Sequence, residues 1–243
     1  MKLSKKLIIE KLDEMSISIN TNKDAKNPNL IIIDDGAQIE PFTRFAGNHL
    51  FTMGAYSYSR SNFVSINIGR YCSIGRGVKI LGPEHPVNWV STSPVFYSEA
   101  LATKYCESPA TVRTQNFESR HAPITIGHDV WIGNDCILKP GISIGNGAVI
   151  AGNSVVTKDV PAYSIFGGAP ATFLKSRFSL PLCEKLIELK WWNYRLDDLF
   201  SLDCDFSDVE QFCNTLERSI NSKAIDKVNH PSLELATMKS FSL

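Results

Sequence analysis

From Ile124 the chain reads ITIGHD VWIGND CILKPG ISIGNG AVIAGN SVVTKD, and every sixth residue is aliphatic: Ile126, Ile132, Leu138, Ile144, Ile150 and Val156. The residue after each is mostly small, as at Gly127, Gly133, Gly145 and Ala151. Two before each stands Ile124, Val130, Cys136, Ile142, Ala148 or Ser154, mostly small or β-branched. A period of six fits neither the 3.6 of an α-helix nor the alternation of a sandwich strand. It is the signature of a parallel β-helix, in which each unit is a short strand and a turn and three units close one coil. The aliphatic residues then point inward and stack at a strand spacing of about 4.8 Å. The small residues are expected at turns that need a positive φ.

An earlier block keeps the rule: Ile68-Gly69, Ile74-Gly75 and Ile80, with Ile66, Cys72 and Val78 two before each. Further upstream Ile33, Ile39, Phe45 and Phe51 are also six apart. The frame slips between Phe51 and Ile68, where a bulge or short insertion is expected. From Leu81 to Pro123 the period is lost, and the segment holds His85, Trp89, Phe96, Tyr97, Tyr105, Phe117 and His121. A long insertion within a compact repeat is either functional or disordered, and this aromatic content argues against disorder. Insertions in such repeats leave on one face and build binding surfaces.

These readings divide the chain into a helical cap over 1–28, a β-helix over 29–171 with the loop 81–123 extruded, and a helical extension over 172–243. Residues 2–16 place Leu3, Leu7, Ile8, Leu12 and Met15 on one side of a helix, which would cap the repeat. LPLCEKLIELKWWNYRLDDLF reads as a helix broken near Trp192-Asn193. SDVEQFCNTLERSI reads as another, capped by Ser207 with Glu210 at the capping-box position. The last twenty residues are polar and read as poorly ordered.

A formal net charge of zero gives no bulk attraction to nucleic acid or to an anionic membrane. Leu7-Ile8-Ile9 before Glu10 is too short for a signal-peptide core. No run approaches a membrane span, so membrane insertion is not expected and the cytoplasm is the expected compartment. None of the six cysteines forms a C-x-x-C pair. Cys72 and Cys136, inside the repeat, are expected as small buried apolar residues.

Four motifs occur in order: IGRYCSIG, HPVNWVSTSP, VWIGNDCILKPGISIG and KWW, with SIFGGAPATFLKSRF between the last two. Across roughly Phe51 to Phe200 the chain resembles the hexapeptide-repeat acyltransferases. Within them it is most similar to the xenobiotic acetyltransferase branch and its cell-surface sugar O-acetyltransferase relatives. The resemblance implies a left-handed β-helix, a homotrimer with active sites in the clefts between subunits, and acetyl transfer from acetyl-CoA without metal or covalent intermediate.

His85 falls on that family's catalytic histidine. An acceptor hydroxyl must lose its proton as it attacks a thioester, and imidazole, titrating near neutrality, takes and returns it. A neutral His85 needs one nitrogen free and the other held, by Glu84 or more naturally by a backbone carbonyl. Trp131 precedes the inward Ile132, so it is expected to point outward, and the family places this residue beside the cleft and the pantetheine arm. Carried over in the same way, the acetyl-CoA site comprises Asn134, Gly152, Thr157, Lys158 and the turn around Ala169 and Ala171. Lys158, Lys175 and Arg177 are cations where nucleotide phosphates should lie. Tyr56, Tyr58, Trp89 and Tyr97 are expected to shape the acceptor pocket. His128 is expected to face solvent, and His49 and His230 carry no motif.

The expected acceptor is a hydroxyl of a cell-surface carbohydrate or its precursor. A drug hydroxyl of chloramphenicol or streptogramin type and an amine of a nucleotide sugar are the alternatives. A β-helical carbonic anhydrase with zinc on His85, His121 and His128, or a non-catalytic scaffold, would be different classes. The GGAPA turn and the basic residues after it suit a nucleotide tail, which a carbonic anhydrase does not need.

Overall fold

The computed structural model describes residues 2–20, 29–82, 84–118 and 122–233. The chain forms two compact units, one of Met1–Ile80 with Pro123–Leu243 and one of Leu81–Ala122. In the larger unit short strands recur in threes: Ile66–Ile68, Ser73–Ile74 and Lys79–Ile80, then Ile124–Ile126, Trp131–Ile132 and Ile137–Leu138, then Ser143–Ile144, Val149–Ile150 and Val155–Val156. Each pairs in parallel with its equivalent one coil away: Ile68 with Ile126, Ile132 with Ile74 and Ile150, Leu138 with Ile80 and Val156. The chain therefore visits three parallel sheets in turn. Ile68, Ile74, Ile126, Ile132, Leu138, Ile144, Ile150 and Val156 are all at most 2% exposed. Burying each such side chain is worth about 1.5–3 kcal/mol. Ile124 pairs with Ile66, so the coil resumes beyond the insertion in register with the coil before it.

The glycines after the inward aliphatics serve a different purpose from the one expected. A Cβ on Gly69 would come 2.5 Å from the carbonyl oxygen of Gly127, and one on Gly133 would come 2.5 Å from the amide nitrogen of Gly152. Glycine stands there because the next coil passes too close for a side chain. The positive φ falls two residues later, at Asp129 (56°) and Asp135 (57°), residue types that tolerate the left-handed region. At the same corner of earlier coils Phe42, Tyr56 and Tyr71 take φ values of 60°, 62° and 61°. Left-handed backbone costs such residues about 1–2 kcal/mol each. Ring stacking offsets this cost: Phe42 lies on Tyr56 at 5.1 Å and Tyr56 on Tyr71 at 4.9 Å between centroids.

The frame slip is a shortening rather than an insertion. Arg44 pairs with Tyr58 and Tyr58 with Ser73, so these coils advance by fourteen and fifteen residues, against eighteen from Trp131 to Val149. Phe51 is buried in the core as expected, and Leu50 beside it, which pairs across from Ile33, is buried as well. Large side chains, Phe45, Phe51 and Phe63 packed edge to edge, fill the core of the shorter coils.

The ends also depart from expectation. Lys2–Ser4 is a strand, antiparallel to Leu30–Ile33, and the helix begins at Lys5 and runs to Glu14. Leu3, Ile8, Leu12 and Met15 still join the core. Residues 172–176 are not helical: Ala171–Ser176 folds back antiparallel on Ser164–Gly168. Helices then run Leu180–Leu189, Leu196–Phe200 and Val209–Asn221. The break is at Lys190, which is left-handed and is followed by a short 3₁₀ turn over Trp191–Asn193. The last helix is capped by Asp208, whose side chain accepts from the amide of Gln211, not by Ser207.

Of the last twenty residues, those described are anchored. The amide of Leu233 donates to the carbonyl of Ile39, and the Ile39 amide donates to Ser232 Oγ. Leu233 is 2% exposed within the core. The described residues contain no helix long and apolar enough to cross a membrane.

Candidate active site

Within the unit Leu81–Ala122, His85 is followed by the buried Pro86, and the proline restricts the histidine to extended backbone. The imidazole is exposed, but its Nδ1 is held. The carbonyl oxygen of Thr92 lies 2.9 Å away and Tyr97 Oη 2.7 Å away. A carbonyl can only accept, so the contact assigns the ring proton to Nδ1. The phenol oxygen accepts from the same N–H. The lone pair of Nε2 is then the basic one. This is the backbone-carbonyl arrangement expected for a neutral imidazole.

Local sequence builds this contact. Ser93 caps the 3₁₀ turn Pro94–Phe96 by accepting from the Val95 amide, and proline opens the turn with its φ already set. Tyr97 closes the turn through its own amide to the Pro94 carbonyl, and the Gln115 amide bonds to the Phe96 carbonyl. The Tyr97 ring packs in a three-ring cluster with Trp89 (6.2 Å) and Phe117 (5.2 Å), which themselves meet edge to face. Neither Thr92 nor Phe117 is among the site residues that the sequence leads one to expect. The signal available was STSP, a serine cap followed by proline, which marks a fixed turn seven residues past the histidine.

The larger unit gathers part of the expected acetyl-CoA set on the outer face of one sheet. Trp131 points outward and is 57% exposed. It pairs with Ser73 on one side and Val149 on the other. Ser73 pairs in turn with Tyr58, Val149 with Ile165, and Ile165 with Lys175. Directly paired residues share a face, so Tyr58, Trp131 and Lys175 lie along one outward row. Trp131 and Lys175 are three strands apart, about 14 Å at the usual spacing. At the next corner the Asn153 amide donates to the Asn134 carbonyl, which places Gly152 beside Asn134. The Gly168 amide bonds Ser154 Oγ there, bringing Ala169 and Ala171 to the same corner. Thr157 and Lys158 follow the strand Val155–Val156 of another sheet and do not join this row.

Three expectations fail. Arg177 is committed to Asp129 at 2.8 Å and to the Gly147 carbonyl at 2.8 Å, and its guanidinium lies over Tyr163 and Phe178. Its charge is spent inside the protein, so it is withdrawn as a phosphate ligand. Burial pushes the Asp129 carboxyl above its usual range despite that partner. Tyr56 is stacked in the left-handed corner and does not line an acceptor pocket. His128 does not face solvent: it lies flat on Trp192 at 4.8 Å, and Nδ1 accepts from the Arg70 amide. Burial first, then the Arg70 charge, holds its pKa down at about 4. His121 lies outside the described residues, and no group of three potential metal ligands gathers among those described. Cys72, buried, is pushed up to about 12, and all six cysteines are free.

A cavity of about 280 Å³ opens beside the C-terminal helices, walled by Tyr71, Trp191, Leu199, Phe200, Phe206 and Phe212 with Asp129 and Arg177. Apart from the withdrawn Arg177, none of the expected site residues lines it.

Residues 123–158 match the bacterial transferase hexapeptide family (six repeats). A chloramphenicol acetyltransferase of Morganella morganii is 36% identical over 183 residues, covering 73% of this chain and 82% of that protein. A probable macrolide acetyltransferase of Lysinibacillus sphaericus is 38% identical over 135 residues, covering 55% and 72% respectively. Among solved structures, a hexapeptide-repeat acetyltransferase from Vibrio cholerae complexed with acetyl coenzyme A is 23% identical with a TM-score of 0.38, over 72% of this chain and 79% of that one.

Proposed function

We propose that this chain, which belongs to the bacterial hexapeptide-repeat acetyltransferases, carries an acetyl group from acetyl-CoA directly to a hydroxyl of a carbohydrate acceptor, with His85 as general base. The hydroxyl oxygen attacks the thioester carbonyl as its proton passes to Nε2 of His85. The tetrahedral adduct collapses, the C–S bond breaks, and Nε2 returns the proton to the departing thiolate. The products are an acetyl ester and free CoA thiol. The observation that carries this reading is the Thr92 carbonyl on Nδ1, which leaves Nε2 as the basic nitrogen.

Acetyl-CoA lies along the outward row, with the reacting end at Trp131 and the phosphates at Lys175. Asn134, Gly152, Ala169 and Ala171 flank the arm at the adjoining corner, where small residues permit close approach. The coil is a left-handed parallel β-helix and the working form a homotrimer. Thr157 and Lys158, at the far corner, meet the cofactor of a neighbouring copy. Sedimentation equilibrium checks the trimer, and a monomer active at assay concentration would remove it.

The acceptor pocket draws on Trp89 and Phe117 of the insertion, aromatic faces of the kind on which sugar rings stack. A second reading, acetylation of a drug hydroxyl, is favoured by the similarity to the chloramphenicol acetyltransferase. An acceptor panel with acetyl-CoA, following released thiol, separates the two. Turnover with polysaccharide precursors but not chloramphenicol or macrolides supports the first; the reverse pattern replaces it with the second. His85→Ala should lower kcat by about 10²–10⁴-fold with acetyl-CoA affinity retained, and near-normal turnover would remove the base assignment.

A further inference from the structure

We infer that Tyr97 is a positioning residue for His85, acting through its hydroxyl on Nδ1, rather than a wall of the acceptor pocket. This rests on the reading of His85 as general base. Two oxygens converge on one ring nitrogen: Thr92 O at 2.9 Å and Tyr97 Oη at 2.7 Å. If the proton were on Nε2 instead, the Tyr97 hydroxyl would donate to Nδ1. The Thr92 carbonyl would then face a nitrogen lone pair at hydrogen-bond distance, which is repulsive. With the proton on Nδ1, both oxygens accept from it and both contacts are favourable. The Thr92 carbonyl therefore selects the tautomer that leaves Nε2 basic, and the Tyr97 hydroxyl, able to accept in that tautomer, gives Nδ1–H a second partner.

They also fix the ring. One acceptor allows an exposed imidazole to swing about its Cβ–Cγ bond, whereas two on different elements restrict that swing. Thr92 lies in the stretch before the 3₁₀ turn and Tyr97 closes it. The phenol oxygen is placed by packing, since its ring is clustered with Trp89 and Phe117. When Nε2 accepts the acceptor's proton, the ring becomes an imidazolium and its Nδ1–H a stronger donor. Both oxygens then stabilise the charge that exists only at that stage, which is where an interaction accelerates a reaction.

The test is Tyr97→Phe in the full chain, which keeps the packed ring and removes the oxygen. One readout is the proton resonance on His85 Nδ1, assigned by its loss in His85→Ala. The other is kcat and both KM values with acetyl-CoA and the acceptor found by the panel. The expected result is a marked upfield shift or loss of the resonance, through weaker hydrogen bonding and faster exchange. With it, kcat should fall about 3–10-fold at unchanged KM, the scale of one charge-assisted hydrogen bond shared with a remaining partner. An unmoved resonance overturns the inference, and a raised acceptor KM beside it returns Tyr97 to the acceptor pocket. A moved resonance with intact kcat also overturns it. The resonance reports on Tyr97 whatever His85 does in catalysis, so failure of the general-base reading shows separately, as activity retained in His85→Ala.

Discussion

His128 should make this protein lose stability on mild acidification, by an amount that can be worked from its surroundings. Its ring is packed flat on Trp192, itself 2% exposed, and its Nδ1 accepts from the Arg70 amide at 2.9 Å. A proton on Nδ1 would face that amide hydrogen, and the charge would sit near the Arg70 guanidinium. Glu40 binds Arg70 through both carboxylate oxygens and offsets part of that repulsion. The folded pKa is about 4 against 6.5 for the free side chain. The unfolded chain therefore takes up a proton below pH 6.5 that the folded chain refuses until about pH 4. Stability is complete above pH 6.5 and falls as the pH drops through that window. The full shift corresponds to about 3 kcal/mol, and partial exposure of the ring to solvent reduces the expected loss to about 1–2 kcal/mol. The perturbation is His128→Asn, whose Oδ1 can accept from the same amide but does not titrate. Urea unfolding at pH 7.5 and 4.5, at one protein concentration because assembly shifts midpoints, gives the loss for each protein. The variant should be weaker at both pH values, having lost the ring stack, yet lose about 1–2 kcal/mol less between them. Equal losses in the two proteins would refute the reasoning.

Two further outcomes test the coil. Ile132→Ala removes a fully buried side chain stacked between Ile74 and Ile150 and should cost about 2–5 kcal/mol in chemical denaturation; a loss below 1 kcal/mol would mean the columns are not close-packed. Gly69→Ala directs a methyl at the Gly127 carbonyl and should destabilise by about 1–3 kcal/mol, whereas an unchanged urea midpoint would show that the coils can part freely at that corner.

The later coils were legible because there one residue type does one job at one spacing. Ile68, Ile74 and Ile80 stop, Ile124, Ile126 and Ile132 resume, and Ile124 stacks on Ile66. The break thus marked the insertion directly. The earlier coils were legible only in part: Ile33, Ile39, Phe45 and Phe51 keep the spacing and are buried, but beyond them fewer residues per coil, with Phe63 packed on Phe51, break the period. The strand Lys2–Ser4 depends on pairing with Leu30–Ile33, which no local pattern encodes. In the site, His85 stood out as a titrating residue at a pattern break, and its need for a carbonyl partner followed from imidazole chemistry. Tyr56 was misplaced because aromatic residues seldom adopt positive φ, so a stack of them at a left-handed corner is not anticipated. Arg177 and His128 were misread because Asp129 lies 48 residues before Arg177 and Trp192 far along the chain from His128. Their roles are set by partners that spacing cannot reveal.

The clasp of residues 232–233 on Ile39 has a consequence in time. Ile39 and Ser232 are 193 residues apart, while the coils join near neighbours. At about 5–20 residues per second of synthesis, the coil that carries Ile39 emerges roughly 10–40 s before the segment that covers its edge. During that interval the backbone donor and acceptor of Ile39 lie open at a strand edge, where a second nascent chain can pair. Polysomes, with many copies at the same stage, bring such open edges close together.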